Sequence, residues 1–344
     1  MRQAFCFLFF LTFLTSCGDE NQGPDVSSVK IDVEVNRFEN DFFAMDTLAL
    51  EKSLNELQLR YPSLTPIFLQ HILGLNSESI EEGVKNFTRL SQTLFEASQK
   101  EMGDFSTIKN EFENSFQYVK YYFPEYKIPS VITVLGPVDA LAQTATGEAS
   151  PSFIGPDFIG ISLQFYLGKD FPLYQDTYFI TTVAPQYRSR RFDKKYIVAD
   201  AMKLIVDDLS PDNSAGRNLL EQIIEKGKQV WFLDKLMPAT SDSIKTGYTN
   251  DQLDWCIENE GLIWNYLLEN EKDIYTTDPI VIQTYIGDAP FTATLSSSSP
   301  GNIGMWIGRQ IVRKFVEKKP SITIQEVMQT TATDILKTAK YKPK

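Results

Sequence analysis

Val131-Ile132-Thr133-Val134-Leu135 and Phe158-Ile159-Gly160-Ile161-Ser162-Leu163 are the two stretches that decide the fold class. Both are short apolar runs, the first rich in β-branched residues, and turn formers bound them, as they bound buried strands. The segment between them holds Gly136-Pro137 and, further on, Gly147 and Gly155-Pro156. A small sheet or a hairpin is expected here. One more strand is expected upstream, where Val29-Lys30-Ile31-Asp32-Val33-Glu34-Val35-Asn36-Arg37-Phe38 alternates apolar and polar residues.

The rest of the pattern is helical. From about Thr47 to Tyr122 apolar and aromatic residues recur at helical spacing, with Pro62 and Pro66 starting or interrupting the helices. Asp193 to Leu209 carries an apolar stripe at Ile197, Ala201, Leu204 and Ile205. Ser214 is the expected N-cap of a helix that runs to Met237 and stops at Pro238. Asn250 or Asp251 opens another that ends near Asn270, and Gly301 to Lys319 and Thr323 to Leu336 are the last two. The fold class is therefore α+β, mostly helical, with a small β-sheet. No linker or repeat divides residues 29–339, which read as one globular domain ahead of a basic tail at 340–344.

The N-terminus has a different composition. In MRQAFCFLFFLTFLTSC, Arg2 supplies a positive start, Ala4 to Leu14 a short apolar core, and Leu14-Thr15-Ser16 small residues before Cys17. That is the layout of a cleaved export signal over residues 1–16. The core is too short to span a membrane, which takes about 20 residues. Lipidation is expected at Cys17, with acyl chains such as palmitate holding the protein to a bilayer. Residues 17–28, rich in Gly, Asp, Asn and Ser, read as a flexible tether.

Composition narrows the function. The 344-residue chain would keep 328 residues after losing the first 16. Its formal charge is −12, and it becomes −13 when Arg2 leaves with the signal. Such a chain does not follow nucleic-acid phosphates, and anionic headgroups repel it. Of the three cysteines, Cys6 leaves with the signal and Cys17 is acylated, so Cys256 stands alone and no intrachain disulfide forms. In Leu253-Asp254-Trp255-Cys256-Ile257 it reads as a small buried hydrophobe.

The common catalytic constellations are missing from the sequence. His71 is the sole histidine, which is too few for the usual zinc sets or for more than one His-based triad. Phosphate-binding glycine loops and the nucleophile elbow do not occur. No cofactor is expected. Carboxylates remain: Asp200, Asp207 and Asp208 share one helix, and Glu221, Glu225 and Asp234 the next. A solvated acidic face is one reading, and acid–base work or Ca²⁺ binding is the other.

Arg188, Arg190, Arg191, Lys194 and Lys195 form a basic run within this acidic chain, interleaved with Tyr187, Phe192 and Tyr196. A docking patch for an acidic partner and a charged helix start paired to nearby carboxylates are both open readings. Two further segments are unusual in texture. Tyr285-Ile286-Gly287-Asp288-Ala289-Pro290-Phe291-Thr292 crowds Gly, Pro and aromatics together, and Ser299 to Val312 opens a helix containing Gly301, Gly304 and Gly308. Each helical glycine costs up to about 1 kcal/mol, so tight helix packing or a pocket wall is expected there. The candidate partner contacts are Arg188, Arg190, Arg191, Tyr285, Asp288, Trp306 and Arg309.

The same segments carry a resemblance. The run Leu219 to Asp234, read LLEQIIEKGKQVWFLD, resembles the gliding-motility-associated lipoprotein GldB family of Bacteroidota. So do Asn36-Arg37-Phe38-Glu39-Asn40-Asp41, Gly168-Lys169-Asp170-Phe171-Pro172-Leu173-Tyr174, Tyr285 to Thr292, and Ser299 to Val312, in the same order. The resemblance implies an envelope lipoprotein needed for gliding, without established catalytic activity, working with other gliding or envelope proteins. It also implies a distant likeness to zincin-like predicted metallopeptidases, in which a helix after a small sheet carries H-E-x-x-H. The matching positions here hold Asp200, Ala201 and Leu204, with Lys226 before Gly227. Both histidine ligands are gone, so a scaffold without its metal chemistry is expected.

Two rival functions remain: a metal-dependent hydrolase using Asp200, Asp207 and Glu225, and a surface binder of peptide or glycan with a pocket of Trp306, Tyr285 and Phe291. Gly18 after the anchor is not the aspartate linked to inner-membrane retention, and Asp19-Glu20 favours the outer membrane or the cell surface.

Overall fold

The computed structural model describes residues 23–144, 147–269 and 274–343. Cys17 and the signal lie outside the described residues. The architecture is α+β and mostly helical. Among the described residues there are six strands: β1 (Val35–Arg37), β2 (Ser130–Val134), β3 (Ala142–Gln143), β4 (Ala149–Ser150), β5 (Ser152–Ile154) and β6 (Phe158–Ser162).

Four of them make one mixed sheet in the order β1-β2-β6-β5. Of the two expected arrangements of the apolar runs, the small sheet forms and the hairpin does not: β2 and β6 are parallel, with Val131 opposite Ile159 and Thr133 opposite Ile161. The physical reason is burial on both faces. Parallel strands covered on both sides read as continuous apolar runs rather than as alternation. Val131, Ile159 and Ile161 enter the main core, while Ile132, Val134 and Phe158 enter a smaller one. The true hairpin partner of β6 is β5, antiparallel, with Phe153 opposite Gly160. A Cβ on Gly160 would lie 2.2 Å from the Phe153 ring, so the glycine makes room for the aromatic.

The upstream strand is shorter than its alternation suggests. Only Val35–Arg37 pairs, parallel to β2, and Phe38–Phe43 turns directly into a helix. That helix brings Phe38 and Phe42 onto the Phe68 ring, with centroids 4.8 and 5.0 Å apart. It also buries Glu39, which accepts from Arg37 at 2.6 Å and from the Thr133 hydroxyl at 2.5 Å. The smaller core is thereby closed over one face of the sheet.

The main core forms around two helices, Ile197–Leu209 and Leu219–Leu236, packed with Ile303–Glu317. Several expected boundaries move. The cap of the 219–236 helix is Asn218, whose side chain accepts from the Glu221 amide, rather than Ser214, which lies in the turn before it. Thr249 caps Asn250–Glu258 with a full capping box, and a break at Asn259 separates that helix from Glu260–Glu269. Ile303–Glu317 starts two residues after Gly301, because Asn302 adopts a left-handed φ of 55°. The last expected helix is two, Ile324–Gln329 and Ala332–Ala339, since Thr331 caps a fresh one by accepting from Asp334.

Both ends of the described chain lie against the body. Within the expected tether, Val26 is buried and Gly23 sits between Tyr118 and Pro238, so this part is not a free linker. In the expected basic tail, Tyr341 is buried, packs edge-on to Trp264 at 5.2 Å and donates to Glu260.

Candidate functional site

The glycines of the 303–317 helix answer one question directly. A Cβ on Gly308 would stand 1.9 Å from the Ile223 carbonyl oxygen, and one on Gly227 would stand 2.0 Å from the Gly308 carbonyl carbon. Two backbones therefore cross in contact at Gly227 and Gly308, which is the compensation a helical glycine needs. Gly301 lies as closely on the Ala289 carbonyl oxygen, so the two unusual segments pack against each other. These glycines serve packing.

That crossing positions a buried ionic knot. Arg309, the residue after Gly308, is fully buried. Its Nε and Nη2 donate to the two oxygens of Asp234 at 2.8 and 2.7 Å. Its Nη1 and Nη2 donate to those of Asp242 at 2.8 and 2.6 Å. Lys245 reaches Asp234 at 2.8 Å and Asp242 at 3.2 Å, and Arg313 reaches Asp234 at 3.2 Å. Burial acts to raise the pKa of Asp234, but the Arg309 guanidinium outweighs it and holds the carboxyl below its ordinary value. Asp242 is likewise opposed by burial and held far below the carboxylate range by Arg309 and Lys245. Arg309 itself is raised, since its two carboxylates overcome its own desolvation. A planar fork with five donors is the side chain that can satisfy two carboxylates at once. The expected partner contact at Arg309 is thus corrected: every face of its guanidinium is taken inside the fold.

Tyr285 is also buried and faces the core. Trp306 is buried too, but it borders an open cleft of about 540 Å³. The other walls of that cleft are Leu253, Ile257, Asn250, Asp254 and Glu260 from one side, and Gln310, Arg313 and Asp242 from the other. Ile257 stands at 66 % exposure and Asp254 is exposed. The lining is mixed: an indole edge, two aliphatics, amides and carboxylates. Tyr285 and Phe291 are not part of it. Of the expected contacts, only Trp306 reaches this cleft. Nothing in local spacing marks the rest, because the walls come from helices about 50 residues apart.

The basic run forms a second assembly. Arg188 Nε donates to Asp288 at 2.8 Å, Arg191 approaches the same carboxylate at 3.6 Å, and the Tyr187 hydroxyl donates to the Asp288 carbonyl. Arg190 donates to the Gly247 carbonyl at 2.9 Å and to Gln252 at 3.1 Å. The structure therefore brings four of the expected contacts together, Arg188, Arg190, Arg191 and Asp288. They latch the Gln186–Ser189 helix and the turn after it to the chain at Gly247 and Asp288, as the paired reading of the run anticipates.

The carboxylates of the hydrolase reading are not brought together. Asp200 pairs with Lys203 at 3.0 Å and accepts from the buried Tyr166 hydroxyl at 3.2 Å. Asp207 accepts from the Asp212 amide, and Glu225 pairs with buried Lys228 at 2.8 Å. Burial raises the Glu225 pKa, with Lys228 opposing. Ala201 and Leu204 are buried in the core, and Lys226 pairs with Glu148 at 2.6 Å. Among the described residues no three His, Cys, Asp or Glu side chains are grouped so as to hold a metal. Nor is any helix among them long and apolar enough to cross a membrane. His71 is exposed on a π-helical turn, and Cys256 is buried, its thiol pushed up by desolvation.

The model of a family described as "Gliding motility protein GldB" matches residues 19–343. No curated protein and no solved structure matches the chain.

Proposed function

Because this chain belongs to the GldB family of gliding motility proteins, we propose that it is a lipid-anchored envelope component that holds a partner of the gliding apparatus and carries out no reaction. The anchor is acylated Cys17, the first candidate reading of the N-terminal sequence. The membrane is the outer one or the cell surface, in line with Gly18-Asp19-Glu20 after the anchor. The scaffold is that of a peptidase-like ancestor whose histidine-ligand positions have become Asp200 and Leu204 and whose general-base position has become Ala201.

The observation that carries the binding role is the cleft beside Trp306. It is open, has exposed Ile257 and Asp254 on its rim, and stands on helices fixed by the Arg309 knot and the Gly227–Gly308 crossing. A rigid platform under an amphipathic cleft is what partner recognition requires. The Arg188–Asp288 latch, by contrast, uses its charge internally.

The test is genetic. Deletion of the gene abolishes spreading on agar, and Cys17→Ala mislocalises the product. A double Asp254→Lys, Ile257→Glu substitution leaves protein level intact and abolishes spreading. Normal gliding in a clean deletion sinks the reading, and normal gliding in the double variant removes the cleft from it.

A further inference from the structure

The contact that Gly23 makes bears on which face of the protein meets the bilayer. A Cβ on Gly23 would stand 2.8 Å from the Tyr118 ring and 2.9 Å from Pro238, so the chain is pinned at that spot. Six residues further back is Cys17, and six residues reach at most about 20 Å when fully extended. An acylated Cys17 therefore holds the Tyr118 region within about 20 Å of the acyl chains, where its effective concentration at the interface is high.

The surface at this spot suits that position. Tyr118, Tyr121 and Tyr122 lie at i, i+3 and i+4 on the Ser106–Tyr122 helix and so share a face. Tyr121 is 48 % exposed, and its ring stands edge-on to Tyr122 at 5.0 Å. Burial, with Tyr121 and Tyr118 adding to it, pushes the Tyr122 hydroxyl up to about 12, so this hydroxyl stays neutral. Lys120, on the same turn, folds its ammonium onto the Pro124 and Tyr126 carbonyls. A tyrosine has an apolar ring and a polar tip, the combination that settles at the boundary of headgroup and acyl chain. The chain as a whole is acidic, and such a chain gains nothing from anionic headgroups. An uncharged aromatic patch is the kind of contact open to it.

We infer that the face bearing Tyr118, Tyr121 and Tyr122 rests on the bilayer interface and fixes the orientation of the protein on the membrane. The inference rests on acylation at Cys17. Cys256 is buried, so a cysteine introduced at the surface takes a label selectively.

Nitroxide labels at Tyr121→Cys and, as a reference, at Leu48→Cys (98 % exposed, beside the smaller core) would be compared. The acylated full chain is reconstituted into phosphatidylcholine–phosphatidylethanolamine vesicles, and acylation is verified by mass spectrometry. Circular dichroism identical to the parent shows that both variants are folded. The expected result is a severalfold rise in oxygen over nickel-chelate accessibility at position 121 on reconstitution, with none at position 48. An acylated protein whose label at 121 stays as accessible as in detergent-free solution overturns the inference alone. A chain without acyl mass overturns it together with the anchor reading.

Discussion

The Arg309 knot and the Arg188 latch are made of the same parts, guanidinium and carboxylate, and do different things. In the knot, Arg309 and Asp234 keep 1 % and 12 % of their side-chain surface in water, and of the arginine's two carboxylates only Asp242, at 40 %, reaches solvent. In the latch, Asp288 keeps 36 % of its side-chain surface in water and the arginines about a quarter of theirs. Burial decides the difference. An exposed pair contributes about 0–1 kcal/mol, because water competes for both ions and salt screens them. A buried pair gains little over an apolar replacement, but losing one partner leaves a charge stranded in low dielectric. The knot is thus a device for making one arrangement of helices the only tolerable one, and the latch is an adjustable fastening.

That contrast is open to measurement. The largest effect should come from Arg309→Met, which takes the paired guanidinium donors from buried Asp234. Urea unfolding should show a loss of about 3–5 kcal/mol, and a loss under 1 would mean the knot is solvated after all. Gly308→Ala comes next. Its new methyl meets the Ile223 carbonyl, the helices must part, and a cost of about 1–3 kcal/mol is expected in the same assay. Asp288→Asn should cost no more than about 1 kcal/mol, and the difference from the parent should shrink in high salt. If it matches Arg309→Met instead, the comparison fails.

Acid sharpens it further. Asp234 and Asp242 have folded pKa values below their unfolded ones, so both ionise more readily in the folded protein. Their contribution is fully present above the unfolded value of about 4 and is lost as pH falls below it towards the folded values. The parent should therefore lose stability steeply below about pH 4, and the Arg309→Met variant should show a shallower slope there. Equal slopes would remove the arginine as the cause.

Parts of this were legible in the sequence and parts were not, for identifiable reasons. The stripe Ile197, Ala201, Leu204, Ile205 predicts the helix that forms, because amphipathic periodicity is a local property. The glycines predict close packing, and Gly308 meets Ile223 as that reading requires. The β2–β6 pairing stays open in the sequence between a sheet and a hairpin, since two apolar runs carry no sign of strand direction by themselves. Ser214 reads as the cap, and Asn218, four residues later, does the capping, because both are good acceptors and only the fold chooses. Arg309 looked like a surface contact on an otherwise acidic chain. Its partners Asp234 and Asp242 lie 75 and 67 residues away, a separation no local pattern reports. The cleft has the same origin, with walls from four helices that meet only in the folded chain.

The central claim, that this family member acts by holding a partner at the cleft, is tested most directly at Ile257. A photo-crosslinking phenylalanine analogue at this position, activated in gliding cells, should yield a discrete adduct with one envelope protein. The same group at exposed Tyr178 should yield none. Cells that glide normally and give no adduct from Ile257 would contradict the account.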